Sequence, residues 1–135
     1  EKEKEFQVGT PCFMAPELID SDGEGYSFLV DVYSYSMVIY MMFSVTYPFC
    51  GKSNISVQDR MQKILNGERP SRPAYITDHY WELVQRCWKQ DPNEMPTFEK
   101  ITEILKDDKY ALKEFGMKTD LDQLHEYQKR IDIDE

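Results

Sequence analysis

The residue types able to carry covalent or acid–base chemistry are sparse in this chain and poorly grouped. Its two histidines, His79 and His125, have no Cys, Ser or carboxylate constellation nearby in sequence, and both read as surface residues on helices. Cys12, Cys50 and Cys87 are widely separated and odd in number, which fits neither a disulfide framework nor the ligand spacing of a zinc site. A reducing cytosol is the compartment this usage implies. Asp31 is better placed, because it falls in the first turn of a predicted helix, where the positive end of the helix dipole favours a carboxylate.

The elements that must position these groups read as helices joined by turns. Residues 1 to 25 carry Gly9, Pro11, Pro16, Gly23 and Gly25 and read as loop, apart from a short helix over Ala15–Ile19 with Pro16 in its first turn. The first long helix is predicted from Phe28 to Val45. Its apolar residues cover most of the circumference, which marks a central helix meant to be surrounded. A second starts at the Ser56-x-x-Asp59 capping box and stops at Asn66-Gly67, with Val57, Met61, Ile64 and Leu65 as its buried stripe. A third runs from Asp78 to Lys89 with Trp81, Val84, Cys87 and Trp88 inward, and Asp91-Pro92 is expected to end it. The fourth follows Thr97 as N-cap and turns Phe98, Ile101 and Leu105 inward. No stretch alternates as a strand. In residues 107 to 135, Asp120-x-x-Gln123 caps a last helix, which is either a tail packed on the core or a partner-binding helix.

With 135 residues, 41% hydrophobic and 13% aromatic, the chain can bury one core and is too short to suggest two. A net charge of −9 argues against nonspecific binding to nucleic acid, whose phosphates it would repel. Leu29 to Val45, the most apolar stretch, is broken by Asp31, Ser34, Ser36 and Ser44, so no segment reads as membrane-spanning. The Glu1-Lys2-Glu3-Lys4-Glu5 start has no signal-peptide core and reads as a solvated charge run; Glu3 and Glu5 as phosphate mimics are the sharper alternative.

Four ordered blocks carry a family resemblance. They are Val8-Gly9-Thr10-Pro11-Cys12-Phe13-Met14-Ala15-Pro16-Glu17; Asp31-Val32-Tyr33-Ser34-Tyr35; Tyr47-Pro48-Phe49 with Arg69-Pro70-Ser71-Arg72-Pro73; and Trp81 to Cys87-Trp88 with Asp91-Pro92 and Pro96-Thr97-Phe98. Over residues 8 to 105 the chain resembles the protein kinases, specifically the part of the carboxyl-terminal lobe that follows the activation segment in tyrosine-kinase-like serine/threonine kinases. The implied fold is mainly α, an incomplete kinase-like fold of C-lobe helices with no N-lobe. Residues 1–106 form the C-lobe fragment and 107–135 an acidic helical extension.

The resemblance assigns substrate binding to Gly9, Thr10, Pro11, Cys12, Phe13 and Met14, which would cup the peptide residue after the phosphoacceptor. It implies that the Thr10 hydroxyl meets the catalytic aspartate and lysine, a serine/threonine-kinase determinant; the plainer alternative is that Thr10 caps a turn. Structural duties fall to Glu17, Asp31, Trp88 and Asp91. Asp31 would brace a catalytic loop and, without that loop, should be short of partners. Glu17 would form a buried ion pair with an arginine at the position where this chain has Met95. Losing one member of such a pair costs about 3–5 kcal/mol, so Glu17 is either solvated, protonated or compensated by another donor, and Arg86 or Lys89 is the expected substitute. Ser36 stands where the family has glycine, either crowding a neighbour or improving helix propensity.

Catalysis in the family also needs a glycine-rich loop, a His-Arg-Asp loop and an Asp-Phe-Gly metal site. None occurs in this sequence. No catalytic, cofactor or metal residue is therefore expected within it, ATP and magnesium belong to a complete domain, and the chain alone is expected to be inactive. The expected partners are a protein substrate or the amino-terminal part of a kinase, not nucleic acid or membrane. A non-catalytic kinase remnant acting as an interaction module and a tyrosine kinase fragment are the alternatives. A fragment of an enzyme should expose apolar surface on its central helix, whereas a remnant module should be soluble and cooperatively folded.

Overall fold

A computed structural model describes residues 10–20, 25–49, 55–111 and 120–131. Among them there is no strand, in keeping with the mainly-α expectation. The chain divides into two compact units, one up to Pro96 and one from Thr97.

In the first unit a 3-10 turn, Pro11–Phe13, leads into helix α1 (Pro16–Asp20), followed by α2 (Leu29–Ser44), α3 (Val57–Leu65) and α4 (Asp78–Cys87). The turn and α4 pack on α2, while α1 and the same turn pack on α3. The α2–α4 seam is aromatic: Phe43 meets Tyr80 with ring centroids 5.2 Å apart, and Tyr40 meets Trp88 at 6.3 Å. Such pairs add directional preference to the burial that holds the helices together.

Helix starts follow the capping chemistry read from sequence. Ser56 accepts from the Asp59 N–H at 3.1 Å and its hydroxyl donates to the Asp59 carboxylate at 2.7 Å. Thr77, not singled out from the sequence, caps α4 through the Tyr80 N–H. The end of α3 is a Schellman motif, with Gly67 at φ +80°, its N–H on the Ile64 carbonyl and the Glu68 N–H on the Lys63 carbonyl.

Four expectations are corrected. Helix α2 is not surrounded: Asp31, Val38 and Met42 fall on one side and are exposed, Val38 by 43% and Met42 by 67%, while Val32, Tyr33, Ser36 and Met37 are buried. A uniformly apolar circumference fixes that a helix can be enclosed, not that every side is covered. Val57 is 48% exposed and does not join the α3 stripe. Phe98 is likewise 40% exposed and not inward. Both hold the first position of their helices, and helical side chains lean toward the N-terminus, so theirs project past the helix end. Helix α4 stops at Cys87, before the Asp91-Pro92 pair, because Trp88 leaves helical geometry at φ −118°, ψ 30°.

In the second unit α5 (Phe98–Leu105), capped by Thr97, precedes a 3-10 turn (Asp108–Tyr110) and α6 (Leu121–Ile131). Asp120 caps α6 by accepting the Gln123 N–H at 3.1 Å, and His125 Nε2 lies 2.7 Å from Asp108 Oδ1.

Candidate substrate-binding loop

Residues 10–14 form a short ledge fixed from below. Thr10 has extended geometry at φ −87°, ψ 115°, and its carbonyl accepts the Phe13 N–H at 2.9 Å while Pro11 accepts from Met14 at 3.2 Å. Pro11 suits the first position, since its fixed φ matches the turn and its missing N–H has no partner to lose. Cys12, Met14 and Ala15 face inward, at 3%, 3% and 0% exposure. The Phe13 ring stands edge-on to Tyr47 with centroids 6.3 Å apart.

A side-chain hydrogen bond from α2 reaches the ledge. The Ser34 hydroxyl lies 2.8 Å from the Phe13 carbonyl and 3.1 Å from the carbonyl of Val30 in its own helix, so its one proton is shared between a tertiary and a local acceptor. Thr10 itself is exposed, and its hydroxyl makes no capping bond to the turn. The turn-capping role is therefore not what this side chain performs. Gly9 and Cys50 lie outside the described residues.

Asp31 is exposed in the first turn of α2, with no side-chain hydrogen bond or ion pair among the described residues. Trp88 is buried to 6% exposure and packs edge-on against Trp81 at 5.4 Å. Asp91 caps the 3-10 turn Pro92–Glu94, accepting the Asn93 N–H at 2.9 Å. Ser36 is fully buried and donates to the Tyr33 carbonyl at 2.6 Å, so its hydroxyl is taken up in an intrahelical bond.

The expected substitution beside Glu17 is not observed. Arg86 and Lys89 are exposed, and no ion pair joins either to Glu17 among the described residues; one Glu17 oxygen, Oε1, is buried without a hydrogen-bond partner. Arg86 and Lys89 project from the exposed side of the α4 end, so neither turns toward the buried oxygen. Met95 is buried and offers no charge.

Sequence reasoning missed Tyr33 and Arg69. Tyr33 is fully buried with its hydroxyl unpartnered, and burial pushes its phenol above the ordinary range, with Arg69 opposing and Glu17 and Cys12 reinforcing. Arg69 lies 5.1 Å over the Tyr33 ring. A cation after a helix end was the available signal, hidden because Arg69 follows the Gly67 stop instead of preceding it.

Neither buried cysteine is poised for nucleophilic work. Cys12 and Cys87 are buried and not joined in a disulfide, and burial pushes Cys87 up to about 12, partly opposed by Arg86. The described residues contain no grouping of three His, Cys, Asp or Glu side chains that could hold a metal ion. No helix among them is long and apolar enough to cross a membrane.

The family model described as "Protein kinase domain" matches residues 1–126. A Dictyostelium discoideum "Probable serine/threonine-protein kinase" is 40% identical over 99 residues, covering 73% of this chain and 10% of the relative. The same organism's RGS domain-containing serine/threonine-protein kinase A is 34% identical over 98 residues, covering 73% and 8%. A LIM domain-containing serine/threonine-protein kinase from it is 32% identical over 105 residues, covering 78% and 15%. The chain thus spans a small fraction of the relatives it matches. The matched span takes in the ledge, all of the first unit and most of the second, and the chain belongs to the protein kinase family.

Proposed function

We propose that this chain supplies the substrate-binding loop and C-lobe helices of a tyrosine-kinase-like serine/threonine kinase, whose complete domain transfers phosphate from magnesium-ATP to protein hydroxyls. The observation that carries this reading is the state of Thr10. Its backbone is fixed by the turn behind it, yet its hydroxyl is exposed and unspent on that turn. A side chain held so is pre-organised for a partner, and pre-organisation lowers the ordering cost of binding. The names of the relatives support serine and threonine as the acceptors.

Within this scheme the chain's residues position substrate. The ledge at Pro11–Met14 presents the docking surface, Ser34 sets its height on α2, and buried Cys12 and Met14 anchor it. The exposed Val38 and Met42 side of α2 supports the presence of further domain elements packed there. Nucleotide and metal handling belong to those elements, and the chain alone is inactive. The free buried thiols fit a cytosolic setting.

The test is phosphotransfer by the full-length protein encoding this chain, on matched peptides offering Ser, Thr or Tyr. Activity on Ser and Thr that falls sharply in Thr10→Ala is expected. Tyr-only activity would establish the tyrosine kinase alternative, and no activity with intact folding would favour the non-catalytic remnant.

A further inference from the structure

The Arg69 side chain donates four hydrogen bonds. Its Nε donates to the Trp88 carbonyl at 2.8 Å, Nη1 to the carbonyls of Ile64 at 3.3 Å and Glu68 at 2.8 Å, and Nη2 to Gln90 Oε1 at 3.0 Å. It thereby closes the ends of α3 and α4, where a cation is favoured by the exposed carbonyls. Its guanidinium also lies 5.1 Å above the ring of Tyr33 on α2, so one side chain joins three helices.

The first unit also holds polar atoms that lack hydrogen-bond partners. Glu17 Oε1 on α1, the Tyr33 hydroxyl and Arg60 Nε on α3 are all buried without hydrogen-bond partners. Helix α1 packs directly on α3, at whose end Arg69 is seated. Glu17 as a whole is half-buried, but a carboxylate oxygen buried away from water without an opposite charge near it is costly. Arg86 and Lys89 are turned to solvent, and Met95 is neutral.

We propose that Arg69 is the counter-charge of Glu17: seated over Tyr33 at the end of α3, it offsets the half-buried carboxylate and so fixes α1 and the ledge before it. The field pattern agrees with this geometry. Burial pulls the Arg69 guanidinium down and the charges of Tyr33 and Glu17 hold it up, while Arg69 opposes the rise at Tyr33. Arg69 is a positioning residue, because its direct bonds are to helix ends and its effect on the ledge passes through Glu17 and Tyr33. Arg60, on the helix against which α1 packs, is the competing cation and serves as the control.

The experiment is a double-mutant cycle on the full 135-residue chain, following urea unfolding of Glu17→Gln, Arg69→Met and the pair, with Arg60→Met in parallel. Glu17→Gln should destabilise the chain that has Arg69 and be neutral or stabilising in Arg69→Met, a coupling of about tenfold in the unfolding constant. Arg69→Lys should lose stability with its helix-end bonds yet keep the coupling. Equal effects of Glu17→Gln in both backgrounds, or coupling to Arg60 instead, would overturn the assignment. Should Arg69→Met not fold, Glu17→Lys and Glu17→Gln are compared with Arg69 intact. A lysine markedly worse than glutamine supports the facing cation, and equal stability refutes it.

Discussion

The Ser34 hydroxyl stands 2.8 Å from the Phe13 carbonyl, 21 residues away in sequence, and this contact ties the Pro11–Met14 ledge to the central helix. Ser34→Ala should therefore free the ledge while leaving α2 intact, because the hydroxyl's second acceptor lies within its own helix. A loss of about 1 kcal/mol is expected, the net worth of one such bond. Amide exchange should quicken at Phe13 and Met14 but not within α2. Unchanged exchange at the ledge would show that burial of Cys12 and Met14 alone holds it.

Helix α2 ends on Val45, whose φ of 55° and ψ of 17° are left-handed, with its N–H on the Met41 carbonyl at 2.9 Å. A β-branched residue is poorly suited to that region, and glycine is the usual occupant of such a helix end. Val45 is 86% exposed, so removing its side chain gives up little packing. Val45→Gly is expected to stabilise the chain by about 1 kcal/mol, after the greater chain entropy of glycine is allowed for. Calorimetry showing a lower melting temperature would mean that the valine contacts matter more than its backbone geometry.

What could be read from sequence was the chemistry that is local. Ser56 and Thr97 cap helices because the bonded N–H lies three residues on, and Gly67 stops α3 because it alone there tolerates φ +80°. Asp120 announced α6 in the same way. The fate of the α2 circumference was not legible, since Val38 and Met37 are both apolar and only tertiary packing decides that one is exposed and the other buried. Arg69 was hidden for a related reason: two of its acceptors lie 19 and 21 residues away, and one of them is a backbone carbonyl, which carries no side-chain signature. Within the ledge, residue identity located the loop, but not the hydroxyl that holds it to α2.

The exposed apolar side of α2 makes a prediction about the chain in isolation. Val38 and Met42, at 43% and 67% exposure, lie one helical repeat apart on the same side as Asp31. If further kinase elements normally cover this side, the chain alone should self-associate with rising concentration, and Val38→Lys with Met42→Lys should suppress it without changing helix content. Sedimentation and circular dichroism provide the two readouts. A monomer before any substitution would favour the free-standing interaction module.

Alkaline pH should unfold this chain through two buried acids. Cys87 is pushed up to about 12 by burial, opposed in part by Arg86, and Tyr33 is also raised, chiefly by burial. Each binds its proton more tightly folded than unfolded, so its contribution to stability is intact below the unfolded value and is lost as pH climbs toward the folded one. For Cys87 that window runs from about pH 9 to about 12. Cys87→Ala should flatten the alkaline slope at the cost of a small cavity. Tyr33→Phe should act differently, because it removes a hydroxyl that is buried without a partner while keeping the ring beneath Arg69. A gain of about 1 kcal/mol at neutral pH is expected, along with a shallower alkaline loss. Should Tyr33→Phe instead destabilise the chain at neutral pH, the hydroxyl must hold a bond that its burial conceals.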